Sequence, residues 1–141
     1  MLVTKPQKLN IEHSKKIPLF SFTVEAGFPS PAEDNIERKL NLHELLIKHP
    51  SATFFVKAHG NSMQNSGIFN DDILIVDRSI EPAENMTVVA TISGDFTVKK
   101  LGKIAGRFHL IPSNPAYKPI LVDTCDNVEI WGIVTYVIHK P

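Results

Sequence analysis

From residue 53 onward the chain is a succession of short β-forming runs separated by turn residues, and that pattern leaves few folds open. Residues 53–58, 72–77, 86–92, 95–101, 107–111, 119–122 and 128–138 are rich in Val, Ile, Phe and Thr, the residues that suit a pleated, half-buried surface. Asn70-Asp71-Asp72, Ser93-Gly94-Asp95 and Pro112-Ser113-Asn114-Pro115 punctuate them. The 93–95 turn joins its two strands directly and reads as a hairpin. Strands do not alternate with helices, which argues against a parallel α/β sheet. The expectation is a mostly β fold of curved antiparallel sheets with one short helix. The last run is long and apolar through Trp131, Ile133, Val134 and Val137, which suits either a core strand or half of a dimer interface.

The helix opens at Asn41-Leu42-His43-Glu44. Asn41 caps it, and Glu44 is placed to bond back to the cap. Leu42, Leu45 and Leu46 form its apolar stripe, and Pro50 ends it. Residues 1–16 are lysine-rich and weakly periodic, and read as a loose, extended N-terminal arm. Phe20, Phe22, Val24 and Ala26 then alternate with Ser21, Thr23 and Glu25. That is the period of a half-buried or dockable strand. It stops at Gly27, and Phe28-Pro29-Ser30-Pro31 forces an extended path. Residues 32–40, rich in charge, read as a solvated linker.

Composition excludes several functions. Lys+Arg and Asp+Glu both count 15, for a formal charge of zero. Direct DNA binding calls for a basic excess or stripe, so any role near nucleic acid runs through a protein partner. The single Cys125 forms no internal disulfide, which suits a cytoplasmic location. No run approaches the ~18 apolar residues of a membrane span, and residues 1–16 lack the apolar core of a signal peptide. None of the six histidines lies in a zinc-protease pattern. Gly102-Lys103 lacks the flanking residues of a phosphate loop. Neither a metal nor a cofactor is expected.

Two segments carry chemistry. Gly60-Asn61-Ser62-Met63 puts a serine on a turn just after an apolar run, and Phe96-Thr97-Val98-Lys99-Lys100 puts lysines among β-formers. A serine hydroxyl needs a neighbouring base to attack a carbonyl, and an uncharged lysine amine can be that base. Burial favours the neutral amine. Thr97 shares a strand face with Lys99 and is placed to orient its amine. Backbone N–H groups at Ser62–Met63 offer an oxyanion hole, with Gly60 permitting the turn. Alternation puts Lys99 and Lys100 on opposite faces and does not choose between them.

These segments, with Asn70-Asp71-Asp72-Ile73-Leu74-Ile75-Val76-Asp77, resemble the self-cleaving serine proteases related to the LexA repressor. Gly27-Phe28-Pro29-Ser30-Pro31-Ala32 and Leu45-Leu46-Ile47-Lys48-His49-Pro50-Ser51-Ala52-Thr53 narrow the likeness to the UmuD branch. The resemblance implies a fold of the LexA C-terminal-domain type. It implies Ser62 as nucleophile, Lys99 rather than Lys100 as base, and Ala26–Gly27 as the bond cut. The chain then divides into a cleavable arm over residues 1–26, a linker over 27–40 and a Ser-Lys protease-like β domain over 41–141. The implied partners are a second copy of the chain, a RecA filament on single-stranded DNA, and the UmuC polymerase of SOS mutagenesis. Only 26 residues precede Gly27, too few for the helix-turn-helix domain of a LexA-type repressor, so operator binding is not expected. A signal peptidase shares a Gly-x-Ser-Met serine and a lysine base but needs membrane attachment. The alternative is a non-catalytic regulatory subunit of a polymerase whose dyad is inactive.

Overall fold

The computed structural model of the chain describes residues 1–8, 16–20 and 36–141. They fall into two compact units, Met1–Leu9 with His49–Pro141, and Asn10–Lys48.

In the smaller unit, β3 (Lys16–Phe20) pairs antiparallel with β4 (Ile36–Asn41), the register setting Ile17 opposite Leu40 and Phe20 opposite Ile36. The sequence reading made residues 36–40 part of a linker because of their charges. The pairing makes Ile36–Asn41 a strand despite those charges. Helix α1 (Leu42–Leu46) follows, and the Asn41 side chain accepts from the N–H groups of His43 (3.0 Å) and Glu44 (3.3 Å), as its cap position predicts. No residue of α1 is buried, so the leucine stripe is not a core element. Pro50 does not end the helix, which stops at Ile47. It opens a separate 3-10 turn instead, a first-turn position where proline's missing N–H costs nothing.

The larger unit holds a nine-stranded sheet. Its strands are β1 (Leu2–Val3), β2 (Gln7–Lys8), β5 (Thr53–His59), β6 (Ile73–Asp77), β7 (Thr87–Ile92), β8 (Asp95–Ile104), β9 (Arg107–Ile111), β10 (Ile120–Leu121) and β11 (Val128–Ile138). The order runs β1-β5-β6-β11-β7-β8-β9-β10, and β1 also pairs with β8. The first six of these strands therefore close into a ring. Residues 1–8, read from sequence as loose, instead supply its closing strand (β1), and β2 pairs along β5. Two residues per strand are too few for periodicity to reveal. The mostly β, antiparallel architecture with one short helix agrees with the sequence expectation. Among the described residues, no helix is long and apolar enough to cross a membrane.

Strand alternation feeds two cores. Val56, Ala58, Leu74, Val76, Val89 and Val98 fill the ring, with Met63 and Ile68 from the β5–β6 connection. Val88, Ala90, Leu101, Leu110, Val128 and Ile133, from β7, β8, β9 and β11, form a second cluster. Val88, Val89 and Ala90 are all fully buried, so β7 is covered on both faces. That explains its unbroken apolar run. The β7–β8 hairpin turns on Ser93 (φ 51°) and Gly94 (φ 87°), the double left-handed geometry that two-residue hairpins require. Trp131 packs edge-on against Phe54 and Phe96 at ring-centre distances of 5.1 and 5.7 Å. β11 is thus core through Ile133, while Tyr136, Val137 and Ile138 remain exposed.

Gly132 sits beside a register shift in β11, and a Cβ there would meet Val76 Cγ1 at 2.6 Å. Overpacking a rigid core typically costs about 1–3 kcal/mol. Gly132→Ala should lower stability by that order in urea unfolding, and an unchanged midpoint would contradict the packing described.

Asp77, buried at the end of β6, accepts from the Ser79 N–H (2.8 Å) and hydroxyl (2.6 Å) and pairs with His49 Nδ1 (2.6 Å). Burial on its own would raise the pKa of this carboxyl. The hydrogen bonds from Ser79 and His49 outweigh burial and hold it below the usual carboxylate range. A depressed native pKa adds stability above the unfolded-state value of about 3.9 and loses it as pH falls through the lower native value. In melts at stepped pH, Asp77→Asn should therefore be less stable than the parent at neutral pH. The gap should shrink below about pH 4. A gap that stays constant into acid would show that Asp77 acts by packing alone.

Candidate active site

β5 ends at His59 and β6 begins at Ile73, leaving residues 60–72 as a connecting loop. Backbone bonds clamp its base. Ala58 N–H donates to the Asp72 carbonyl (2.9 Å), and Asp71 N–H to the Ala58 carbonyl (2.8 Å). The buried Asp72 carboxylate accepts from Phe69 N–H (2.8 Å) and pairs with His139 Nδ1 (2.6 Å). Gly60 starts the loop in the left-handed region (φ 99°), and its N–H donates to Asn70 Oδ1 (2.8 Å). Ser62 is exposed, whereas Met63 beside it is 1% exposed and packs in the ring core. The Met63 carbonyl accepts from Ser66 and Ile68 N–H at 3.0 and 3.2 Å. An apolar anchor and a short run of backbone bonds thus hold one hydroxyl at the surface.

β8 supplies the second group. Val98 points into the ring core, so Thr97 and Lys99 take the opposite face. Ser62 and Lys99 line one cavity of ≈ 500 Å³. Met1 forms another wall, and the remaining lining comes from Pro112, Ser113, Asn114, Tyr117, Lys118 and Ile120. Lys100 leaves from the other face and donates its ammonium to the Asn85 carbonyl (3.2 Å). The structure thus brings Lys99, not Lys100, to the cavity of Ser62.

The neighbours of the pair are specific. Ser113 Oγ donates to Met63 Sδ (3.3 Å), which ties the 112–120 wall to the residue that anchors the serine turn. Thr97 is buried and donates its hydroxyl to the Met1 carbonyl (2.7 Å). Its proton is given to Met1; its lone pairs are what it can offer Lys99. Among the described residues, neither Ser62 N–H nor Met63 N–H donates to a backbone carbonyl. The Met1 amino group is held below its usual pKa, first by burial and then by the charge of Lys99. Met1, Lys99 and Lys118 are all among the residues that line the cavity. Among the described residues, no group of three His, Cys, Asp or Glu side chains gathers as a metal site.

Of the residues singled out in the sequence, Ser62, Met63, Thr97 and Lys99 lie in or beside this cavity. Ala26 and Gly27 lie outside the described residues. Sequence reasoning missed Met1 and the 112–120 wall. The Pro112-Ser113-Asn114-Pro115 cluster signalled a turn but gave no sign of what it covers.

The chain matches the model of the family described as Peptidase S24-like over residues 18–135. It is 39% identical to Protein SamA of Salmonella typhimurium over 140 residues, covering 99% of this chain and 96% of that protein. It is 42% identical to Protein MucA of Escherichia coli over 121 residues, covering 85% of this chain and 82% of that one. To a LexA repressor of Bordetella parapertussis it is 34% identical over 116 residues, or 82% of this chain and 53% of the repressor. A family match that runs from β3 into β11 and takes in both Ser62 and Lys99 leaves one assignment: this chain belongs to the Peptidase S24-like family.

Proposed function

We propose that the chain is a serine endopeptidase that cuts its own Ala26–Gly27 bond with Ser62 as nucleophile and Lys99 as base. The observation that carries this reading is the shared cavity of Ser62 and Lys99. The Ser62 oxygen attacks the Ala26 carbonyl carbon while its proton passes to the uncharged Lys99 amine. The N–H groups of Ser62 and Met63 receive the developing oxyanion. Collapse breaks the peptide bond, and the Gly27 amine leaves with the proton from Lys99. Water, with Lys99 again as base, then hydrolyses the Ala26 ester and restores Ser62. The small residues at the bond let the substrate backbone approach the serine closely.

On this reading a RecA filament on single-stranded DNA favours the conformer in which the cleavage segment is docked. The shortened chain, as a dimer, then joins UmuC as a subunit of an error-prone polymerase. The relatives MucA, SamA and LexA support that setting.

Mass spectrometry of the full chain, with and without RecA filaments, tests the assignment. Ser62→Ala should abolish the fragment that begins at Gly27. Lys99→Ala should slow it by roughly a hundredfold or more, the usual worth of a general base. Lys100→Ala should leave it intact. Cleavage at the parent rate in Lys99→Ala would remove the base from the mechanism.

RecA-free cleavage should also rise with pH, because only the deprotonated amine accepts the serine proton. A flat profile from neutral to alkaline pH, with folding intact by circular dichroism, would exclude a lysine base.

A further inference from the structure

The antiparallel pairing of β6 with β11 runs until Ile138 stands opposite Ile73. One further step in that register sets His139 beside Asp72, the last residue of the loop that carries Ser62. His139 Nδ1 donates to Asp72 Oδ1 at 2.6 Å, and its ring lies 5.1 Å from the ring of Phe69. The Asp72 side chain is 2% exposed and that of His139 46%. A buried carboxylate is costly unless its oxygens are bonded. His139 takes one oxygen of Asp72, and Phe69 N–H takes the other at 2.8 Å. The Phe69 carbonyl in turn accepts from Asp72 N–H (3.2 Å), which closes a turn over residues 69–72. That turn carries Asn70, whose Oδ1 accepts from Gly60 N–H (2.8 Å) two residues ahead of Ser62. Bonds therefore lead from the end of β11, through the 69–72 turn, to the start of the serine turn.

We propose that His139 is a positioning residue for Ser62. Its hydrogen bond fixes the Asp72 carboxylate, Asp72 fixes the 69–72 turn, and the turn holds Gly60 so that the serine hydroxyl stays at the cavity it shares with Lys99. Displacing a reacting group by about 1 Å can cost on the order of a hundredfold in rate. Because His139 is half-exposed, removing its ring opens no void in the core, and the lost bond is the main change. His49 supplies the comparison. It makes the same 2.6 Å bond to a buried carboxylate and is 53% exposed, but its partner Asp77 lies at the other end of β6 and bonds to Ser79. The effect on rate rests on Ser62 being the nucleophile; the effect on the loop does not.

Two measurements on the full chain test it. In amide hydrogen exchange read by mass spectrometry, His139→Ala should speed exchange across residues 60–70 by roughly tenfold or more. His139→Asn keeps an N–H donor close to the backbone but loses the ring, and should restore the parent's protection. His49→Ala should leave that segment as it is. Formation of the Gly27 fragment should follow the same order: roughly tenfold slower or more in His139→Ala, and near the parent rate in His139→Asn and His49→Ala. The midpoint of its pH profile should not move, because Lys99 is still the base. Unchanged exchange in His139→Ala, equal acceleration in His49→Ala, or an asparagine variant that behaves like the alanine would overturn the proposal. So would faster exchange with an unchanged cleavage rate, or a shifted pH midpoint, which would mean that His139 acts on the base. If the parent itself does not cleave, the dyad assignment fails separately, and exchange alone decides whether His139 orders the loop.

Discussion

Two-residue periodicity on a closed ring decides what each side chain can do. Once β1, β5, β6, β11, β7 and β8 pair into a cylinder, every second residue is committed to its interior. Val98 fills that interior, so Lys99 is turned outward to the cavity of Ser62. Ala58 points inward two residues before the turn begins at Gly60, and Met63 returns to the same core. Ser62 is thus held between two inward anchors. A slip of one residue in β8 would turn Lys99 into the ring and take Val98 out of it. The chemistry depends on register, and register depends on the core.

The same constraint explains what the sequence could disclose. The β7–β8 hairpin was legible because Ser93-Gly94 supplies two left-handed residues at a fixed spacing. The Asn41 cap was legible because capping is local. The choice between Lys99 and Lys100 was not, since alternation separates two faces without saying which one meets the cavity. Only the non-local placement of β5 and the wall at 112–120 makes that choice. β1 escaped notice for the same reason: nothing within Met1–Val3 announces partners that lie far along the chain. Leu42, Leu45 and Leu46 misled in the opposite sense, because an apolar stripe describes a helix without guaranteeing a surface to bury it.

Two buried carboxylates fasten the rim of the barrel. Asp77 takes His49, just ahead of β5, and Asp72 takes His139, just past β11. Each aspartate also accepts backbone N–H bonds near its own strand end. A buried carboxylate without such partners would be costly. With them, each joins a strand terminus to a segment remote in sequence. Asp72 matters to the site as well, because the residues it orders close the loop that carries Ser62.

Closure by β1 also sets an order of events during synthesis. The chain emerges from its start, yet Leu2 finds partners only on β5 and β8, and β8 is not complete until Ile104 has been made. Until then the nascent molecule holds an incomplete sheet with unpaired edges, the state in which strands recruit neighbours. Leu2 and Val3 are made well before the partners that hold them, so they are among the last residues of the barrel able to pair.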